Sequence, residues 1–416
     1  MKKENQEKRN NSCRLCKSKK LEIVYSFQKS PVGDNYTSFK KKLPKYDLEL
    51  QLCNNCKFVQ LSNVIDPNKV YGQYLYVTKT SHGLAEHFYK LYKQLIKKKI
   101  VKKNSKVLEI GSNDGTLLKY FKKTCQLLIA VDPAAHLFKD NKIINIGDHF
   151  SSECAKKIYS KYENFDTIIA NNVLANIDDL EDVFNGIDKI LKPGGHVIVE
   201  TFSLYGILKY NLIDNIYHEH LSYFTISSFE SFASKHNLHL VSVKYLKVKG
   251  GSLRFFFKKN KFKKYKFKKY KSIINAIKKE KLIVNNIKLK FKLLRDINNK
   301  NALKLNKIIK ILKNKKKIAG FGASVGTTSL IYDFQIENKI DLLFDNEKRR
   351  HNLYCPGTNI KVLSPKNINK YNFDYIIVFA WRYTKIILEK NKKFFSKKTK
   401  FIIPLPKLKV INEKNL

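Results

Sequence analysis

The stretch Val107-Leu-Glu-Ile-Gly-Ser-Asn-Asp-Gly-Thr116 constrains the fold more tightly than any other part of the chain. A short apolar run enters a turn that holds two glycines, and a helix-length segment follows. Gly111 and Gly115 let the backbone pass close to a ligand where a Cβ would block it. Further apolar runs at 127–131, 167–170 and 196–200 are separated by turn signals and helix-length segments. Such alternation predicts a parallel sheet with helical crossovers. A second unit of the same kind opens at 317–322, continues at 340–345 and 375–380, and closes at 401–404, predicting a smaller Rossmann-like domain.

The glycine turn also suggests a ligand. The dinucleotide pattern G-x-G-x-x-G is absent, and E-x-G-x-x-x-G stands in its place. That is the form found in methyltransferases, whose cofactor S-adenosylmethionine (SAM) has no pyrophosphate to cradle. Glu109, Gly111, Asn113, Asp114 and Gly115 are therefore candidate SAM contacts. Asp132 follows the second strand, where an acidic residue accepts from both ribose hydroxyls. Asp148 is placed for the adenine, and Asn171 and Asn172 for the methionine end. Leu191-Lys-Pro-Gly-Gly195 before the next strand completes the pattern and disfavours a generic NAD-type turn.

Four of the seven cysteines form two short-spaced pairs, Cys13-x-x-Cys16 and Cys53-x-x-Cys56. Each pair can grip one ion from a tight turn, and two pairs give a tetrahedral four-thiolate zinc site. The long interval between Cys16 and Cys53 requires a small subdomain to fold between them. Four protein ligands leave no open position, so the expected Zn2+ is structural. A cytosolic disulfide is disfavoured. The expected architecture is α/β, with an N-terminal zinc-binding module, a central Rossmann-like domain and a smaller C-terminal Rossmann-like domain. The expected boundaries are 1–71, 72–258 and 318–416. Between them, 259–317 is rich in Lys, Ile, Leu and Asn and lacks Gly and Pro, which predicts helices with solvated Lys faces.

The net charge of +47 invites a nucleic-acid reading. The excess is mostly Lys scattered over the whole chain, and Lys lacks the planar fork of Arg. A field that attracts a small anionic substrate is the better use of it. No apolar run is long enough to span a bilayer, and the charged N-terminus is not a secretory signal. The expected location is the cytoplasm, with no nucleic-acid or membrane partner.

Tyr217-His-Glu-His220 carries the most chemistry per residue. His218 and His220 are two apart and would not share a helix face. The metalloprotease pattern H-E-x-x-H is absent. The residues alone leave two readings open, a loop carrying a general base or a structural histidine.

Taken together, these motifs resemble the sugar C-methyltransferases that make branched-chain deoxysugars, such as the TDP-sugar C-3-methyltransferases. The resemblance runs through the paired cysteines, Tyr71-Gly-Gln-Tyr-Leu-Tyr76, Glu109 to Gly115 and Tyr217 to His220. It continues through Gly250-Gly-Ser-Leu-Arg254, Gly320-Phe-Gly-Ala323, Pro356-Gly-Thr358, Ala380-Trp381 and Pro404-Leu-Pro406. It implies a monomer whose C-terminal domain helps to hold a nucleotide-linked sugar. It implies His220 as general base, with Tyr217, Glu219 and one of Tyr74 or Tyr76 orienting the substrate or stabilising charge. The base would remove the proton next to a 4-keto group, and the enolate would take the methyl of SAM. Two positions depart from the family. Gly326 stands where a Lys is common, and Arg382 where Asn is common. Both point to altered substrate choice. Two rival readings are a SAM-dependent O- or N-methyltransferase of another small molecule and a zinc protein that binds nucleic acid.

Overall fold

The computed structural model describes residues 7–71, 77–81, 83–261, 270–312, 317–371 and 373–412. Each cysteine pair sits on a tight knuckle. Lys17 N donates to Cys13 O and Lys57 N to Cys53 O, both at 2.9 Å. Lys17 and Lys57 take left-handed φ of 58° and 60°, so the two knuckles repeat one geometry. Between them runs an antiparallel sheet in the order Ser222–Tyr223, Val59–Leu61, Glu49–Cys53 and Leu21–Ser26. Its outermost strand, Ser222–Tyr223, comes from the segment that directly follows His220.

The central sheet has seven strands. In spatial order they are Leu238–Leu246, Ser252–Lys259, Leu191–Phe202, Phe165–Asn171, Lys106–Ile110, Leu127–Val131 and Ile144–Ile146. The five from Leu191–Phe202 onward pair in parallel. Ser252–Lys259 runs antiparallel to both its neighbours. Val107, Leu108, Ile168, Ile169, Val197 and Ile198 are buried, as expected of strands covered on both faces. From Lys106–Ile110 the chain steps outward through Leu127–Val131 to Ile144–Ile146, then returns to the other side at Phe165–Asn171. That reversal opens a crevice at the carboxyl ends of the two central strands, the usual ligand site of a doubly wound sheet.

The connector is helical at Lys271–Val284 and Ile287–Leu312. It is more than a solvated bridge. Ile287, Phe291, Leu294, Leu305 and Ile309 form a buried stripe, with Phe291 6.0 Å from Tyr25 of the N-terminal sheet. Buried Asn298 and Asn211 of the central domain exchange amide hydrogen bonds of 3.0 and 3.1 Å. Asn301 donates to Pro406 O and accepts from Leu408 N, both at 3.0 Å. One helix therefore touches all three domains through partners that lie far away in sequence.

The C-terminal sheet has the order Lys361–Leu363, Leu342–Phe344, Ile318–Phe321, Tyr375–Val378, Lys400–Ile403 and Lys409–Asn412. All neighbours are parallel except the last pair. The two edge strands are short and lysine-bearing, and the apolar pattern did not mark them. Among the described residues, no helix is long and apolar enough to cross a membrane.

Candidate active site and zinc centre

The crevice is built on the glycine turn. Gly111 and Gly115 have φ of 71° and 67°. A Cβ on Gly111 would come 2.6 Å from Val173, and one on Gly115 would come 2.7 Å from the Phe138 ring. Asp132 fixes the turn from the next strand: Asn113 N donates to one carboxylate oxygen at 2.9 Å and Ala134 N to the other at 2.8 Å. Each oxygen keeps a further lone pair. Asp148 is exposed beyond Ile144–Ile146, and His149 N donates to it at 2.7 Å.

The side chains of Asn113 and Asp114 turn towards the preceding segment. Asn113 Oδ1 accepts from Thr78 N at 2.9 Å, and Asp114 Oδ2 accepts from Lys79 N at 3.1 Å. Thr78–Thr80 is thus pinned over the turn. Tyr74 and Tyr76 lie outside the described residues. Across the crevice, Asn171 is 6% exposed and neither side-chain polar atom has a partner. Asn172 Oδ1 and Glu109 Oε2 are also buried without one. Burial, with Asp132 and Asp114 adding to it, pushes the Glu109 carboxyl well above 4.5. Orphaned buried polar atoms beside a bare backbone cradle suit a polar ligand. A sulfonium cofactor with an ammonium group also relieves clustered acids.

The segment after Leu191–Phe202 brings the histidines to the same end of the sheet. The carbonyl of Asn215 accepts from Nδ1 of His220 at 2.7 Å. A carbonyl can only accept, so Nδ1 carries the proton and Nε2 presents a lone pair. The ring lies between Phe202 and Tyr217, with centroids at 4.2 and 3.9 Å. Burial lowers the His220 pKa to about 3, the Asn215 carbonyl partly offsets this, and Lys249 adds to it. Leu221 N donates to Ala175 O at 2.7 Å, which ties this loop to the turn that follows Asn171 and Asn172. His218 does not join His220. It is buried against Tyr46 of the N-terminal module, ring centroids 6.1 Å apart, and burial lowers it to about 4. Glu219 is fully enclosed. Burial, reinforced by Asp34 and opposed by Arg350, raises its carboxyl to about 8.

A cavity of about 540 Å³ lies where the central and C-terminal domains meet. His87, Tyr210, Lys249, Trp381, Arg382 and Tyr383 line it.

The four paired cysteines converge, with all sulfurs within 4.8 Å of one another. Cys13 and Cys56 are 3.6 Å apart, as are Cys16 and Cys53. A tetrahedron with Zn–S of about 2.3 Å has S···S edges of about 3.8 Å, so the set fits zinc.

Three family models match the chain in succession. A zinc binding domain covers 13–71, a methyltransferase domain 83–243 and a C-methyltransferase C-terminal domain 247–406. C-methyltransferase NovU of Streptomyces niveus is 25% identical over 408 residues, spanning 96% of this chain and 96% of that protein. The chain is an S-adenosylmethionine-dependent methyltransferase. The chain also shows 24% identity over 149 residues to ribosomal RNA large subunit methyltransferase E of Syntrophobacter fumaroxidans, covering 32% of this chain and 76% of that one. Its likeness to the solved N-methyltransferase NodS of Bradyrhizobium japonicum has a TM-score of 0.32 at 17% identity, over 42% of this chain and 95% of that one. The cofactors of this methyltransferase are SAM and a structural zinc.

Several residues that shape the site are not marked by the sequence. Asn215 fixes the His220 ring. Glu200, fully buried, pairs with Arg254 Nε and His87 Nε2, both at 2.8 Å, behind the cavity. Arg14, inside the first knuckle, reaches the carbonyl of Leu221. Arg14 lies within the first cysteine pair and Arg254 ends the Gly250–Arg254 motif, but nothing local names their partners, and only the tertiary fold brings these pairs together.

Proposed function

We propose that this methyltransferase acts on a nucleotide-linked 4-keto-deoxysugar and adds its methyl group at C-3. One observation carries the reading: His220 presents an unprotonated Nε2, fixed by the Asn215 carbonyl, at the same end of the sheet as the glycine turn. Glu109, Gly111, Asn113, Asp114 and Gly115 would form the SAM cradle, with Asp132 at the ribose, Asp148 at the adenine and Asn171 and Asn172 at the methionine end. SAM supplies a methyl group on a cationic sulfur. His220 Nε2 takes the C-3 proton of the sugar, and the electron pair of that C–H bond spreads onto the 4-keto oxygen. Tyr217, Glu219 and one of Tyr74 or Tyr76 orient the sugar, and a hydroxyl or neutral carboxyl donor stabilises the enolate oxygen. When bound, SAM would supply its methyl to the enolate carbon and leave as S-adenosylhomocysteine. Cys13, Cys16, Cys53 and Cys56 hold the zinc.

The cavity suits the rest of such a substrate, since Trp381, Tyr383 and Tyr210 offer stacking faces and Lys247, Lys249 and Arg382 offer cations for a diphosphate. The same reading divides the chain into a zinc module at 1–71, a catalytic domain at 72–258, a connector at 259–317 and a substrate-holding domain at 318–416. The test is methyl-labelled SAM with a panel of nucleotide-linked 4-keto-6-deoxysugars, the label located by mass spectrometry and NMR. Label on a sugar carbon supports the reading. Label on oxygen or nitrogen overturns it.

A further inference from the structure

The group that orients the candidate base is itself held from another domain. Asn215 ends a short 3-10 turn, Ile213–Asn215, closed by Asn215 N donating to Leu212 O at 3.0 Å and Ile216 N to Ile213 O at 2.9 Å. These local bonds shape the turn, and what packs on it sets where it lies. Asp214, 7% exposed, receives Arg382 Nη1 at 2.7 Å and Trp381 Nε1 at 3.2 Å. Arg382 Nη2 reaches Asn215 Oδ1 at 3.4 Å, and Asn215 Nδ2 donates to Lys249 O at 3.2 Å. On the other side Gly326 lies so close that a Cβ would stand 2.2 Å from Asp214 O. The C-terminal domain therefore grips this turn from two sides, through Gly326 and through Trp381 and Arg382. The next carbonyl along, that of Asn215, receives the Nδ1 proton of His220.

We propose that Arg382 and Asp214 are positioning residues for His220: their ion pair holds the Asn215 carbonyl where it selects the tautomer with a bare Nε2. The inference rests on the reading of His220 as the base. It gives the two family departures one shared role. A Lys at 326 has no room against Asp214 as this backbone stands, and Arg382 takes up the acidic side chain of the same turn. It also links the substrate cavity, which Arg382 lines, to the geometry of the base.

The experiment is nitrogen-15 NMR of the histidine rings in the full chain, with the His220 signals assigned by their loss in His220→Gln. The wild type shows Nδ1 protonated and Nε2 bare. In Arg382→Met and Asp214→Asn the His220 ring becomes a mixture of tautomers, while Arg382→Lys keeps the wild-type pattern. With an accepted substrate, kcat falls about tenfold to a hundredfold in the first two variants while SAM affinity is kept. A His220 ring unchanged in whichever of the two variants folds overturns the proposal and leaves the base assignment standing. A shifted ring together with full activity of His220→Ala would uphold the positioning and overturn the base assignment.

Discussion

Arg14 donates to the carbonyl of Leu221 across 3.3 Å, joining the first cysteine knuckle to the residue next to His220. The same guanidinium donates to Leu61 O at 3.0 Å and pairs with Asp178 at 2.8 Å. A zinc site with no open position is thereby tied to the strand that follows the Tyr217–His220 loop. Elemental analysis should find about one zinc per chain, and Cys53→Ser should lose it. Methyl transfer should fall with the metal, because ligand binding and folding are coupled in such modules. Full activity in a folded, zinc-free preparation would break this link.

His220→Ala should abolish methyl transfer to a carbon acid and leave SAM binding by calorimetry within a factor of about two, since the ring's partners are Asn215, Phe202 and Tyr217 and none belongs to the glycine turn. Activity at the wild-type level would remove His220 from the base role.

Changing pH should separate the three buried groups of the loop. His218 and His220 have folded values of about 4 and about 3, below their ordinary 6.5. The unfolded chain binds more protons there, so their contribution is complete above pH 6.5 and is lost as pH falls towards those values. Glu219 runs the other way. Raised from 4.5 to about 8, it favours the folded state at low pH, and that contribution is lost as pH rises through about 8. Glu219→Gln should therefore flatten the fall in melting temperature between about pH 4.5 and 8 and leave the slope below 4.5 unchanged. For kcat/KM, no acid limb near 6.5 should arise from His220.

Gly326→Ala should destabilise the chain by about 1–3 kcal/mol, the usual cost of forcing a methyl into filled space. The clash is with backbone, Asp214 O, and no flexible side chain can yield there. Thermal unfolding is the measurement, and an unchanged midpoint would mean that the two domains sit further apart.

Asp132→Ala should weaken SAM binding by at least about tenfold, since the carboxylate receives two backbone amides of the turn and losing the order of even one such charge-assisted bond, about 1.5 kcal/mol, is a factor of about ten. Calorimetry with SAM would read it directly.

The parts of this fold that could be read from the sequence are those written locally. A strand, a two-glycine turn and a helix occupy consecutive residues, and each thiolate pair needs only a short turn. The loop from Tyr217 to His220 was visible as chemistry, but its geometry was not. The proton on Nδ1 depends on Asn215, and the turn bearing Asn215 depends on Arg382, 167 residues further along. The same applies to Asn298, buried on a helix whose lysines suggested solvent, because its partner Asn211 lies 87 residues away. His218 and His220 looked equivalent by composition. The strand at Ser222–Tyr223 fixes the chain's path so that one ring meets Tyr46 and the other meets Phe202.

That short strand also sets an order of events on the ribosome. The zinc module can close its knuckles as soon as Cys56 has emerged, but the open edge at Val59–Leu61 must wait for Ser222–Tyr223. Until then it is an unpaired sheet edge, the kind of surface that recruits wrong partners. That edge is covered only once the chain beyond the Tyr217–His220 loop has been made.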